Sequence, residues 1–302
     1  MSHAKCRHLD YGPMKLAFLK VAPILVLASA AGLGRAQSPA NADAVGVLED
    51  PCAVLAPAPP EVTKFRAEVA SARAAGRPMP SFTPSYLEIH AQWIQRRLLQ
   101  DFFGLCRYRD ENAKLGPGST DRVVFFGDSI TELWRSADPA FFSEGRVNRG
   151  ISGQTTAQML GRFRHDVVAL RPRAVHIMAG TNDLAGNTGP TTLAWIQANI
   201  RGMVDMARAN RIEVIIAAVP PAARFNWRPA IRPVSQIEAL NTWLREYAAS
   251  EKLAFVDYGS VLGDGEGGMK SELTTDGVHP NPAAYALMRA VAERAASETW
   301  PR

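Results

Sequence analysis

The sequence predicts an α/β protein: a parallel sheet covered by helices on both faces, preceded by an N-terminal helical extension. Three observations carry this. From about residue 120 onward, short apolar runs alternate with longer amphipathic segments. Most of these runs are predominantly apolar, as strands buried on both faces are. The residues with unusual chemistry stand where these runs end, and open α/β sheets place their chemistry at the carboxyl ends of the strands. With 302 residues, 47% of them hydrophobic, the chain has enough apolar side chains for a large core.

Residues 1–36 read as an export signal. Met14 to Lys20 supplies positive charge, and Val21 to Ala31 is apolar and ends in small residues, so translation can start at Met14 and cleavage can follow Ala30 or Ala36. A membrane anchor is the poorer reading, because the apolar run is shorter than the roughly 20 residues a span needs and contains Pro23. The expected product is periplasmic or secreted, with no stable membrane span once the signal is removed. Of 34 basic and 29 acidic residues, five and one fall within the first 36, which leaves 29 and 28. A balance this even lacks the basic face that nucleic-acid binding needs. Cys52 and Cys106 are the two cysteines beyond the signal, and an oxidising compartment favours their pairing as a disulfide.

Residues 37–60 are rich in Ala and Pro and read as a linker. Residues 61–119 form the helical extension, with helices expected over Glu61 to Ala75 and Ser85 to about Cys106. Residues 120–302 form the main domain. Its expected strands are Val123 to Phe126, a short Arg146 to Asn148, Ala174 to Ala179, Ile212 to Val219 and Leu253 to Val256. The expected helices are Thr155 to Leu170, Thr191 to Ala209, Val234 to Ser250 and Asn281 to Ser297.

Four loops carry the residues of interest: Gly127-Asp128-Ser129, Gly150-Ile151-Ser152-Gly153, Gly180-Thr181-Asn182-Asp183 and Asp276-Gly277-Val278-His279. In order and spacing they resemble the signature blocks of the SGNH (GDSL-type) hydrolase superfamily, and of its platelet-activating-factor acetylhydrolase-like branch in particular. The resemblance covers about residues 120 to 298. It implies a flavodoxin-like three-layer α/β/α sandwich with a five-stranded parallel sheet, and a serine ester hydrolase that needs no cofactor.

The residues fit that chemistry one by one. Ser129 follows a strand and opens a helix, near backbone N–H groups and the positive end of the helix dipole. A serine hydroxyl needs a base. Beyond the signal the histidines are His90, His165, His176 and His279, and His279 alone lies in a Gly/Pro-rich loop with a carboxylate, Asp276, three residues earlier. Asp276 can accept from Nδ1 and leave Nε2 facing Ser129. The resemblance puts the oxyanion donors on the backbone N–H of Ser129, the backbone N–H of Gly153 and the side-chain amide of Asn182. Asp128, Asp183 and Asn148 are expected to anchor loops. No His/Asp/Glu cluster with metal-ligand spacing remains once Asp276 and His279 are assigned. Trp134, Phe225 and Trp227 are expected to shape the acyl or alcohol pocket.

The expected partner is a small-molecule or glycan ester, cleaved through an acyl-enzyme on Ser129, with short acyl groups such as acetyl favoured by the branch. An exported carbohydrate O-acetylesterase is the alternative within the enzyme class. A catalytically idle glycan-binding domain is the rival from another class; its usual mark is a missing nucleophile or base, and Ser129, Asp276 and His279 are all present.

Overall fold

The computed structural model describes residues 46–116, except 76, 78 and 79, and residues 121–299, except 144. The expected export signal and the first part of the expected linker lie outside the described residues. The chain divides into Met1–Leu48 and Glu49–Arg302. Of the first unit only residues 46–48 are described, and they hold no helix or strand. The rest of this section concerns the second unit.

Five strands form one sheet: β1 (Val123–Gly127), β2 (Arg146–Gly150), β3 (Ala174–Met178), β4 (Glu213–Ala217) and β5 (Ala254–Val256). All pairs are parallel and the order is β2-β1-β3-β4-β5, the flavodoxin-like order. Alternate side chains of each strand enter opposite cores. Val124, Phe126, Val175, Ile177, Val214 and Ile216 meet α5 (Thr156–Asp166), the short α6 (Thr181–Leu184), α7 (Leu193–Ala209) and α8 (Val234–Ser250). Phe125, Met178, Ile215 and Ala217 meet α4 (Ser129–Ala137), α9 (Gly259–Leu262) and α10 (Pro282–Thr299). Burial on both faces is the reason β1, β3 and β4 show no polar alternation, whereas β2 carries the buried Asn148 and Arg149.

The extension holds α1 (Pro60–Ala74), α2 (Pro84–Gln100) and α3 (Arg109–Lys114). Phe65 joins the first two through Tyr86 and Phe82, with ring centroids 4.1 and 5.1 Å apart. The expected disulfide is present, joining Cys52 to Cys106 with Cα atoms 5.5 Å apart. Among the described residues no helix is long and apolar enough to cross a membrane.

Three elements end two or more residues before the sequence expectation, each for a local reason. The helix expected up to Cys106 stops at Gln100, because the Asp101 carboxylate accepts from the backbone N–H of Leu105 (2.8 Å) and Cys106 (3.1 Å) and closes a turn instead. The helix expected to Leu170 ends at Asp166, and a 3₁₀ turn over Val168–Leu170 leads to Arg171 in the left-handed region. The fourth strand ends at Ala217, not Val219. There the side chain of Asn241 takes over the ladder, donating to the Val219 carbonyl and accepting from its N–H.

Candidate active site

Ser129 is the first residue of α4, and the preceding Asp128 caps that helix by accepting from the Ile130 N–H at 3.0 Å. The helix passes very close to β2: a Cβ on Gly150 would stand 2.1 Å from the backbone nitrogen of Glu132. Gly150 therefore sets how deep α4 sits, and with it the height of Ser129 above the sheet.

His279 arrives from 150 residues away, and the Ser129 hydroxyl lies 2.9 Å from its Nε2. On the other side of the ring Nδ1 is 2.8 Å from Asp276 Oδ2. The other carboxylate oxygen, Oδ1, accepts from the backbone N–H of Val278 (3.0 Å) and His279 (2.8 Å), so the turn is wound around the carboxylate. Burial opposes the Asp276 charge, but the bonds and charge of His279 outweigh it and hold this carboxyl well below the usual range. It stays ionised and selects the Nδ1–H tautomer of His279. A hydroxyl donating to an imidazole that is held by a carboxylate can give up its proton when it attacks an electrophile.

The expected oxyanion donors are the backbone N–H groups of Ser129 and Gly153 and the Asn182 amide. Among the described residues the backbone N–H groups of Ser129 and Gly153 have no hydrogen-bond partner. Gly153 has φ +81°, a left-handed conformation that favours glycine. Asn182 is differently placed from the expectation of an open donor. Its Nδ2 donates to Asp128 Oδ2 and to the Gln154 carbonyl, both at 3.1 Å, so an incoming oxyanion has to share one of these hydrogens.

Asp128, Asp183 and Asn148 all hold backbone. Asp183 accepts from the Thr156 N–H (2.8 Å) and hydroxyl (2.6 Å). Asn148 donates to the Thr131 carbonyl and accepts from the Gly150 N–H. Burial pushes the carboxyls of Asp128 and Asp183 each up to about 6. His176 is buried on β3 with Nε2 2.9 Å from the Tyr258 hydroxyl, and burial pushes it down to about 3, so it is a neutral core residue.

Two of the three expected pocket residues are corrected. Trp134 is fully buried among Phe125, Phe141 and Tyr285. It lies five residues past Ser129, about 140° around the helix, and so faces the core when Ser129 faces the cleft. Phe225 is also fully buried, stacked beneath Trp227 at 5.2 Å. Trp227 alone reaches the rim, 41% exposed and 6.3 Å from the His279 ring.

Two supporting residues escaped the sequence reading. Asn187 accepts from the Trp227 indole (3.0 Å) and donates to Asn182 Oδ1 (2.7 Å) and the Gly153 carbonyl (3.2 Å). Arg162, fully buried, donates to the carbonyls of Gly127 and Arg149 and pairs with Asp166 at 3.0 Å, joining the ends of β1 and β2. No sequence signal separated Asn187 from an ordinary loop asparagine, or Arg162 from a solvated helix arginine.

The profile of the GDSL-like Lipase/Acylhydrolase family matches residues 125–287, more than half of the chain. The chain belongs to that family. It is an ester hydrolase, and the relatives agree with this. Esterase TesA of Pseudomonas aeruginosa is 31% identical over 157 residues, which cover 51% of this chain and 67% of that protein. An acetylxylan esterase of Geobacillus stearothermophilus is 32% identical over 91 residues, 22% of this chain and 42% of that protein, less than half its length. The solved structure of a GDSL-like lipase from Bacteroides thetaiotaomicron is 41% identical, covers 66% of this chain and all of that one (100%), and superposes with a TM-score of 0.65.

Proposed function

We propose that the protein hydrolyses carboxylic esters through an acyl-enzyme on Ser129. His279 takes the serine proton as Oγ attacks the ester carbonyl, and Asp276 stabilises the imidazolium. His279 then protonates the leaving alcohol and activates water to release the acid. The carbonyl oxygen, charged during attack, is received by the N–H groups of Ser129 and Gly153 and by Asn182. The observation that carries this reading is the unbroken relay from Ser129 Oγ to His279 (2.9 Å) to Asp276 (2.8 Å).

A fluorophosphonate probe, followed by mass analysis, tests it: labelling should fall on Ser129 and vanish in Ser129→Ala together with hydrolysis of p-nitrophenyl acetate. Undiminished labelling in Ser129→Ala would point to a different serine.

Short acyl groups, acetyl above all, are the proposed substrates, and a carbohydrate O-acetyl ester is the alternative favoured by two observations. One is the similarity to an acetylxylan esterase. The other is Trp227, an aromatic surface at the rim of the kind that stacks on sugars. Comparing kcat/KM for acetylated xylo-oligosaccharides and for p-nitrophenyl esters from acetate to decanoate decides between them. Trp227→Ala should lower kcat/KM about ten-fold or more for the preferred ester, and equal values for every ester would remove Trp227 from the pocket. Export remains part of the proposal; the disulfide supports an oxidising compartment.

A further inference from the structure

The loop after β2, Ile151–Gln154, has little structure of its own, and Ser152 is exposed to solvent. Where its peptide groups point is therefore decided by what holds them. Glu132, three residues past Ser129 on α4, accepts with Oε2 from both the N–H (2.8 Å) and the hydroxyl (2.5 Å) of Ser152. Its other oxygen accepts from the Arg107 guanidinium at 3.1 Å. Two further bonds join this part of the chain to the same stretch, while Asn187 and Asn182 hold the Gly153 and Gln154 carbonyls from the other side. Gln154 Nε2 donates to the Phe103 carbonyl at 2.8 Å, and the Tyr108 hydroxyl donates to the Gly150 carbonyl. These tethers flank Cys106, which is itself stapled to Cys52.

We propose that Glu132 and Arg107 are positioning residues: Arg107 fixes the Glu132 carboxylate, Glu132 holds Ser152 by its N–H and hydroxyl, and through Ser152 the residues before β1 orient the following peptide, which carries the Gly153 N–H, toward the reacting carbonyl. This rests on the reading of that N–H as an oxyanion donor. The Arg107 and Glu132 side chains are 44% and 25% exposed, so the ion pair contributes little to stability and its removal leaves a folded protein. Its effect belongs in the transition state, where the oxygen bears charge, and so in kcat with KM spared.

The test uses the full chain with p-nitrophenyl acetate and a methyl trifluoromethyl ketone, whose adduct with serine places an oxyanion in the same cradle. Arg107→Ala and Glu132→Gln should each lower kcat about ten- to a hundred-fold and weaken the ketone by a similar factor, with KM within about two-fold and Tm nearly unchanged. Arg107→Lys, which restores the charge, should recover part of the loss. Unchanged kcat and ketone affinity in folded Arg107→Ala would overturn the proposal, as would kcat, KM and Tm deteriorating together. If Glu132→Gln does not accumulate, Arg107→Ala carries the same test. Wild-type hydrolysis by Ser129→Ala would instead remove the reading beneath it.

Discussion

Asp183 shows at the scale of one residue how the site is paid for elsewhere. Its carboxyl holds both polar atoms of Thr156, yet burial raises it to about 6. A carboxyl raised in the folded protein stabilises fully below its unfolded value, near 3.9, and loses that contribution as pH rises through the folded one. Stability should therefore fall between about pH 4 and 6 through Asp183, and through Asp128, which is raised likewise. Asp276 has the opposite sign: its contribution is present above the unfolded value and is lost only in stronger acid, outside this window. An asparagine at 183 can still accept from the Thr156 N–H and donate to its hydroxyl oxygen. Asp183→Asn should thus gain up to about 3 kcal/mol over wild type at pH 7 and nothing at pH 4. Urea unfolding at the two pH values measures this, and an equal difference at both would be contrary to it.

At the scale of elements, the crossing of α4 over β2 matters most. The Cβ of an alanine at 150 would meet backbone, the nitrogen of Glu132 at 2.1 Å and the carbonyl oxygen of Asp128 at 2.7 Å, and backbone has no rotamer by which to yield. Gly150→Ala should cost about 3 kcal/mol or more and displace Ser129, so that residual folded protein is nearly inactive. The measurement is circular-dichroism melting alongside turnover per folded molecule. Full turnover in a destabilised variant would mean that the helix can lift without moving its first residue.

For the whole molecule, the disulfide joins two positions 54 residues apart in sequence and encloses α1 and α2. In the chain-entropy model, closing a loop of that length stabilises by on the order of 4 kcal/mol. A Cys52→Ser, Cys106→Ser double variant should melt several degrees lower than wild type, by about 4 °C or more. An unchanged melting temperature would mean that packing of the extension does without the bond. The same variant should also lose turnover if residues 103–108 hold the oxyanion loop as inferred above.

The alternation of buried strands and amphipathic helices was legible because each element is specified by spacing within a few turns of chain. Val234–Ser250 is an element of this kind: the sequence expectation and the observed helix coincide. The grouping of Ser129, His279 and Asp276 was legible for a similar reason, since Asp276 and His279 sit in one short turn and Ser129 stands where a strand becomes a helix. Tertiary structure decided the remainder. The burial of Trp134 and Phe225, the reach of Trp227 to Asn187 and the path from Arg107 through Glu132 to Ser152 all join segments distant in sequence. Such contacts leave no periodicity, because the partners of an exposed arginine or a loop asparagine depend on which loops the strand order β2-β1-β3-β4-β5 brings to the same sheet edge.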